Sequence, residues 1–183
     1  MRVFANVDEV IEHLELLATM LSAESDEFTE LDHGLQTAAH LEAEHADDHE
    51  LLVAGLVHDL AHPWDGPGQR RHAFMGADAV RSVLGERVAS LIEGHVPAKR
   101  YLVAARPDYF ALLSPDSVMT LERQGGAMDE SEVAAFEADP HFEAMVALRI
   151  ADDHAKVPNA VVPSLEHWIP SLRSVALNQR PMP

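Results

Sequence analysis

Apolar residues recur every three or four positions along most of this chain, which predicts helices rather than strands. Val10, Ile11, Leu14, Leu17, Ala18 and Leu21 follow that spacing and would share one helix face. Asn6, with Glu9 three residues on, gives the segment a capping-box-like start. Ser22 to Phe28 is polar and acidic and reads as a loop. Leu31–Glu44, Glu50–Ala61, Ala73–Leu84 and Glu86–Glu93 read as further helices, and Pro63 with Asp65-Gly66-Pro67-Gly68 stops the second of these. Short helices are expected over Pro97–Leu113, Pro115–Arg123 and Ser131–Ala138, and longer ones over His141–Asp153 and Ser164–Leu177. No stretch alternates as a half-buried strand does, and no internal repeat is visible. The expected fold is all-α, a helical bundle in which residues 1–183 form a single domain.

Composition narrows the setting. A chain of 183 residues can bury a core without covalent staples. It holds no cysteine, which fits a reducing cytosol and means that a tightly bound metal must rest on His, Asp and Glu. No run approaches the roughly 18 apolar residues that span a bilayer, and MRVFANVDEV lacks the apolar core of a signal peptide. A soluble cytoplasmic protein is expected, with no membrane partner. The net charge of −18 repels nucleic-acid phosphates, yet it leaves room for a small anion in a locally cationic pocket. Twelve histidines are many for this length.

The chemistry concentrates in GLVHDLAHPW, residues 55–64. On a continuous helix His58 and His62 share a face, with Asp59 about 100° around. Buried bare, the Asp59 carboxylate would cost several kcal/mol, and a bound cation removes that cost. Imidazole beside carboxylate is a usual ligand pair for divalent or trivalent metals. A His-Asp dipeptide also arises by chance, so the other candidates matter. His33, His72, His95 and Asp152 each adjoin an apolar run on a different expected helix. Ligands converging from several helices are how a bundle builds an interior metal site. Lys99 lies four residues after His95, and Arg149 three before Asp152. Each would share its neighbour's helix face, as an anion-binding cation or as one half of a surface ion pair. Gln36, one turn after His33, reads equally as a group supporting the ligands or as a polar helix residue. His13, His40, His45, His49, His141 and His154 sit among acidic and polar residues and are expected at the solvated surface.

The order His33, His58-Asp59, His72, His95, Asp152 resembles the HD-domain superfamily of metal-dependent phosphohydrolases and oxygenases. The blocks EGHVPAKRYLV, residues 93–103, and QGGAMDE, residues 124–130, are similar to its mixed-valent di-iron branch that cleaves carbon–phosphorus bonds. That resemblance covers about Leu31 to Trp168. It implies one iron on His33, His58, Asp59 and Asp152, and a second on His72, His95 and the same bridging Asp59. It implies an Fe(II)/Fe(III) pair that activates O2, with an open position where a small anionic hydroxyphosphonate chelates. His62, Lys99, Ser117, Thr120 and Arg149 match family positions that hold the phosphonate, and His62 and Lys99 are the implied catalytic residues. The implied products are a carboxylate and phosphate.

In that branch a Tyr and a Glu ahead of the first histidine form a lid. Here the region reads SDEFTE, residues 25–30, with no tyrosine. Asp26 or Glu27 is the expected substitute for the amine-binding Glu. Trp64, directly after His62-Pro63, either packs at a helix end or presents a ring to a quaternary ammonium. Two substrates follow: 2-amino-1-hydroxyethylphosphonate, giving glycine, and 1-hydroxy-2-(trimethylammonio)ethylphosphonate, giving glycine betaine, which Trp64 favours. The rival function is a metal-dependent phosphohydrolase acting on a nucleotide or small phosphate ester. A ligand-sensing bundle and a polyol oxygenase rank behind it.

Overall fold

The computed structural model describes residues 2–22, 25–65 and 71–179. Its described residues form nine α-helices: α1 Val7–Leu17, α2 Glu30–His45, α3 His49–Val57, α4 His72–Leu84, α5 Glu86–Ala105, α6 Pro115–Arg123, α7 Glu130–Glu137, α8 Phe142–His154 and α9 Leu165–Asn178. The all-α expectation holds, with one small addition. Strands β1 Leu21–Ser22 and β2 Ser25–Thr29 pair antiparallel where a loop was expected. Phe28 is the one residue of β2 that is buried, so the segment carries too little alternation to read as a strand. Helix α1 also stops four residues before Leu21. The Thr19 hydroxyl donates to the Leu16 carbonyl at 2.7 Å, a side-chain bond that competes with helix continuation, and Leu21 is exposed.

Local chemistry sets the other ends. Thr29 and Asp32 form a full capping box at the start of α2, and the Asp48 side chain caps α3. The sequence reading breaks at Gly94 to Pro97, whereas α5 runs through both. Pro97 lacks the N–H that would reach the Glu93 carbonyl; Glu93 is exposed, so water can take that bond.

The core lies where α2, α3, α5 and α8 pack together, with α4 against α5. It is built largely from Leu, Val and Ala, including Leu41, Leu51, Val53, Val57, Leu91, Ile92 and Leu148. Helices α2 and α3 approach so closely that a Cβ on Gly34 would lie 2.4 Å from the Leu56 carbonyl oxygen. That contact sits beside His33 and His58.

His13 departs from its expected place at the surface, being only 2% exposed. Its Nε2–H donates to the Leu60 carbonyl at 2.9 Å, and its Nδ1 accepts from Arg2 at 3.4 Å. This is a neutral imidazole, and burial pushes its pKa below the ordinary value.

Two outcomes follow. Gly34→Ala should lose stability by about 1–3 kcal/mol, because a backbone carbonyl must move. Gly94→Ala should lose less, because its Cβ meets the flexible Met145 side chain. Thermal unfolding followed by circular dichroism ranks the two. An imidazole with a depressed folded pKa takes up a proton more readily in the unfolded chain. Its contribution is therefore present above about pH 6.5 and lost as pH falls through the folded value. Denaturant unfolding at pH 7 and pH 5 should show a smaller acid loss in His13→Gln than in the wild type.

Candidate metal centre

Helix α3 ends at Val57, so His58 and Asp59 occupy the turn that follows it rather than a continuing helix. Tight turns carry the chain on, with Leu60 N–H to the Val57 carbonyl at 3.2 Å and His62 N–H to the Asp59 carbonyl at 2.9 Å. His62 then opens a short 3₁₀ turn, His62–Trp64. His58 and His62 thus do not share the helix face that their spacing suggested. His58 lies toward Asp152 and His62 toward Glu30, on opposite sides of Asp59.

The expected ligands converge as two triads, His33–His58–Asp152 and Asp59–His72–His95, whose donor atoms lie within 4.8 Å of one another in each. In the first, His33 Nε2 and His58 Nε2 lie 3.2 and 3.8 Å from Asp152 Oδ1. In the second, His72 Nε2 and His95 Nε2 lie 3.6 and 3.7 Å from Asp59 Oδ1 and 3.1 Å from each other. The other Asp59 oxygen, Oδ2, lies 3.5 Å from His33 Nε2 and 3.3 Å from His58 Nε2. One carboxylate therefore turns one oxygen toward each triad.

The imidazoles are set as ligands. His33, His58 and His95 donate their Nδ1–H to the carbonyls of Ala155, Gly55 and Ile92 at 2.8, 2.8 and 2.6 Å. That leaves each Nε2 lone pair facing inward. Gln36 supports the first bond: its Oε1 accepts from Val157 N–H at 3.0 Å, holding the segment that carries the Ala155 carbonyl. His72, the first residue of α4, is placed by Asp65, whose Oδ2 accepts the backbone N–H groups of Arg71 and His72, both at 2.7 Å.

The electrostatics are those of a site built for a cation. Burial opposes ionisation of Asp59, but the charges of His58 and His62 outweigh it and hold the carboxyl well below its usual range. Asp152 is held low against burial by Arg149 and Lys156. Burial likewise opposes charge on His33, yet Asp152 and Asp59 raise it to about 9. Burial keeps His95 well below the ordinary value, hence neutral. His58 Nε2 and Asp59 Oδ1 are buried without a hydrogen-bond partner, an arrangement that costs energy unless something else meets them. A metal ion at each triad would meet both, so the donor set fits a metal cofactor.

A cavity opens beside the triads, lined by Asp59, His62, His72, His95, Lys99, Asp116, Ser117, Thr120, Gln124, Arg149 and Asp152, with Val96. Buried Lys99 donates from Nζ to Thr120 Oγ1 at 2.9 Å. Arg149 lines the cavity, but its guanidinium already forks onto Asp153 through Nε and Nη2. Its Nη1 donates to Asp152 Oδ2 at 2.7 Å. It is thus committed to the carboxylates at i+3 and i+4 rather than open for a two-bond grip on a phosphonate. Asp152 consequently has one oxygen for Arg149 and one for the histidines. The Tyr109 hydroxyl donates to Asp153 and accepts from Arg149 Nε at 3.1 Å.

Three expected substrate residues lie elsewhere. Asp26 and Glu27 are exposed on β2 and do not line the cavity. The Trp64 ring packs on His13 and Phe4, at centroid separations of 4.8 and 6.0 Å, under the Arg2 guanidinium. Its cation is supplied by the chain itself, so packing at the helix end is the role the structure shows. Sequence reasoning missed Glu30, Tyr109, Asp116, Gln124 and Asp153. Asp153 could have been found from its i+4 spacing to Arg149, Glu30 from its place three before His33, and Asp116 and Gln124 from their places four before and four after Thr120; Tyr109 comes from a segment that no spacing rule connects to the others.

Because Asp59 turns an oxygen to both triads, Asp59→Ala should abolish whatever metal binding either triad supports, whereas His95→Ala should impair only binding at its own triad. Elemental analysis of the purified variants, expressed as metal per chain, checks this.

The HD domain family matches residues 10–155. A [1-hydroxy-2-(trimethylamino)ethyl]phosphonate dioxygenase (glycine-betaine-forming) from Leisingera caerulea is 33% identical over 153 residues, covering 79% of this chain and 78% of that protein. A hydroxymethylphosphonate dioxygenase from Gimesia maris is 38% identical over 149 residues, covering 76% and 74%. An uncharacterised protein, L432, of Acanthamoeba polyphaga mimivirus is 30% identical over 150 residues, covering 76% and 68%. These matches bear out the resemblance read from the histidine and aspartate order and from the EGHV and QGGA blocks. With its triads meeting on one aspartate and its match extending over most of its length, the chain belongs to the HD-domain family.

Proposed function

We propose that the protein is a non-heme di-iron dioxygenase that uses O2 to cleave the carbon–phosphorus bond of a small 1-hydroxyphosphonate, releasing a carboxylate and phosphate. The observation that carries this reading is the Asp59 carboxylate, with one oxygen toward each histidine triad, directly beside a cavity that holds a buried lysine. Two relatives named as phosphonate dioxygenases support it. His33, His58 and Asp152 would hold one iron, His72 and His95 the other, and Asp59 both. Iron in the Fe(II)/Fe(III) pair would supply the one-electron chemistry that O2 requires.

The chain's own groups do the rest. Lys99 places a charged ammonium beside the hydroxyl of Thr120 and the carbonyl of Ser117, a setting that suits a phosphonate oxygen. The Ser117 hydroxyl, 3.5 Å from Arg149 Nη2, can join it. Arg149 keeps Asp152 fixed for the histidines. His62 directs Nε2 to within 3.3 Å of Asp59 Oδ1, at the edge of the second triad.

The candidate substrates share the hydroxyphosphonate core and differ in the group on the carbinol carbon. They are 2-amino-1-hydroxyethylphosphonate, its N-trimethyl analogue and hydroxymethylphosphonate. Asp116 is the described carboxylate of the cavity outside the two triads, and it offers charge to a cationic head. The absence of cysteine from 183 residues suits work in a reducing cytoplasm.

The deciding experiment loads the protein with iron and follows O2 uptake and phosphate release with each of the three compounds. Coupled consumption and release that stop under anaerobic conditions are expected. Phosphate release from a phosphate ester, undiminished without O2, would instead establish the phosphohydrolase reading. Lys99→Met should lower kcat/KM about 10- to 100-fold, the worth of one charge-assisted hydrogen bond, with KM carrying most of the change and metal content unaltered. Steady-state kinetics beside elemental analysis measures both.

A further inference from the structure

Glu30 is the first residue of α2 and is only 6% exposed, an unusual place for a carboxylate that belongs to neither triad. Its Oε2 lies 3.2 Å from His62 Nδ1. A carboxylate oxygen accepts here, so Nδ1–H donates to Glu30. The other nitrogen, Nε2, lies 3.3 Å from Asp59 Oδ1, at the cavity. The triad histidines His33, His58 and His95 are oriented through Nδ1 by backbone carbonyls. His62 receives the equivalent restraint from a side chain. Glu30 and the ligand His33 stand three residues apart on α2, so one rigid element fixes a metal ligand and the partner of His62 together.

We propose that Glu30 is a positioning residue, acting through His62: it fixes the orientation with which His62 meets the substrate. This rests on the oxygenase reading above, with His62 holding the phosphonate as the resemblance implies, and it adds a residue outside both triads. Glu30→Ala frees the ring to rotate. Glu30→Gln keeps the size and one acceptor oxygen.

The test has two arms. In the first, the iron-loaded enzyme is compared with Glu30→Ala, Glu30→Gln, His62→Ala and the double variant Glu30→Ala/His62→Ala. Glu30→Ala is expected to lower kcat about 10-fold or more with metal content retained, and Glu30→Gln to recover part of the loss. The double variant should match His62→Ala alone, because a residue that acts through another adds nothing once that other is gone. Equal losses from Glu30→Ala with and without His62, or loss of metal in Glu30→Ala, would overturn the proposal. The second arm needs no turnover: the full chain is loaded with Zn(II), and the nitrogen NMR shifts of the His62 ring are recorded. A proton on Nδ1 in the wild type is expected; a wild-type ring protonated on Nε2 alone overturns it. If no hydroxyphosphonate is turned over by the wild type, the oxygenase reading fails while this second arm still decides the Glu30–His62 pairing.

Discussion

The organising constraint is a crowd of buried acceptors. Two carboxylates and the Nε2 atoms of four histidines meet inside an apolar core, and two of their atoms have no hydrogen-bond partner at all. Burial opposes charge on them all; without a metal, protons on the histidines and the Arg149 and Lys156 cations offset the carboxylates, so His33 and His58 are raised while Asp59 and Asp152 are lowered. A multivalent ion replaces those protons and meets several lone pairs at once. The helices can be understood as the means of bringing these atoms to one place: α2, α4, α5 and α8 each deliver a ligand, and the turn after α3 delivers two.

That turn matters because it is not helical. A continuing helix would have aimed His58 and His62 the same way. By stopping at Val57, the chain splits them to opposite sides of Asp59. The split is held from outside by His13, which takes the Leu60 carbonyl, and by Trp64 stacked on His13. Residues with no part in the chemistry thus fix the geometry of residues that have one.

The helical fold was legible because the apolar spacing is strong, and the capping pairs Asn6/Glu9 and the stop at Pro63 are local signals. The six ligand candidates were legible because His and Asp beside apolar runs on separate helices stand in an order that resembles the HD-domain pattern. What escaped was whatever depends on partners far apart in sequence. His13 looked solvated because its neighbours are acidic, but its environment is set by Leu60, distant along the chain. Arg149 stayed open between an anion-binding cation and an ion pair because its bonds to Asp152 and Asp153 depend on side-chain direction. Trp64 stayed open between packing at a helix end and facing a ligand because Arg2 and Phe4, which cover it, are remote in sequence. The β1–β2 hairpin was missed because a strand with one buried residue has no period to detect.

The Asp65 carboxylate offers a last point. By accepting the amides of Arg71 and His72, it ties the two ends of the intervening stretch together at the base. The position of His72 is therefore set by Asp65 on the far side of the turn as well as by the helix it opens, so a cavity-lining imidazole and the 3₁₀ turn after Asp59 are indexed to one another.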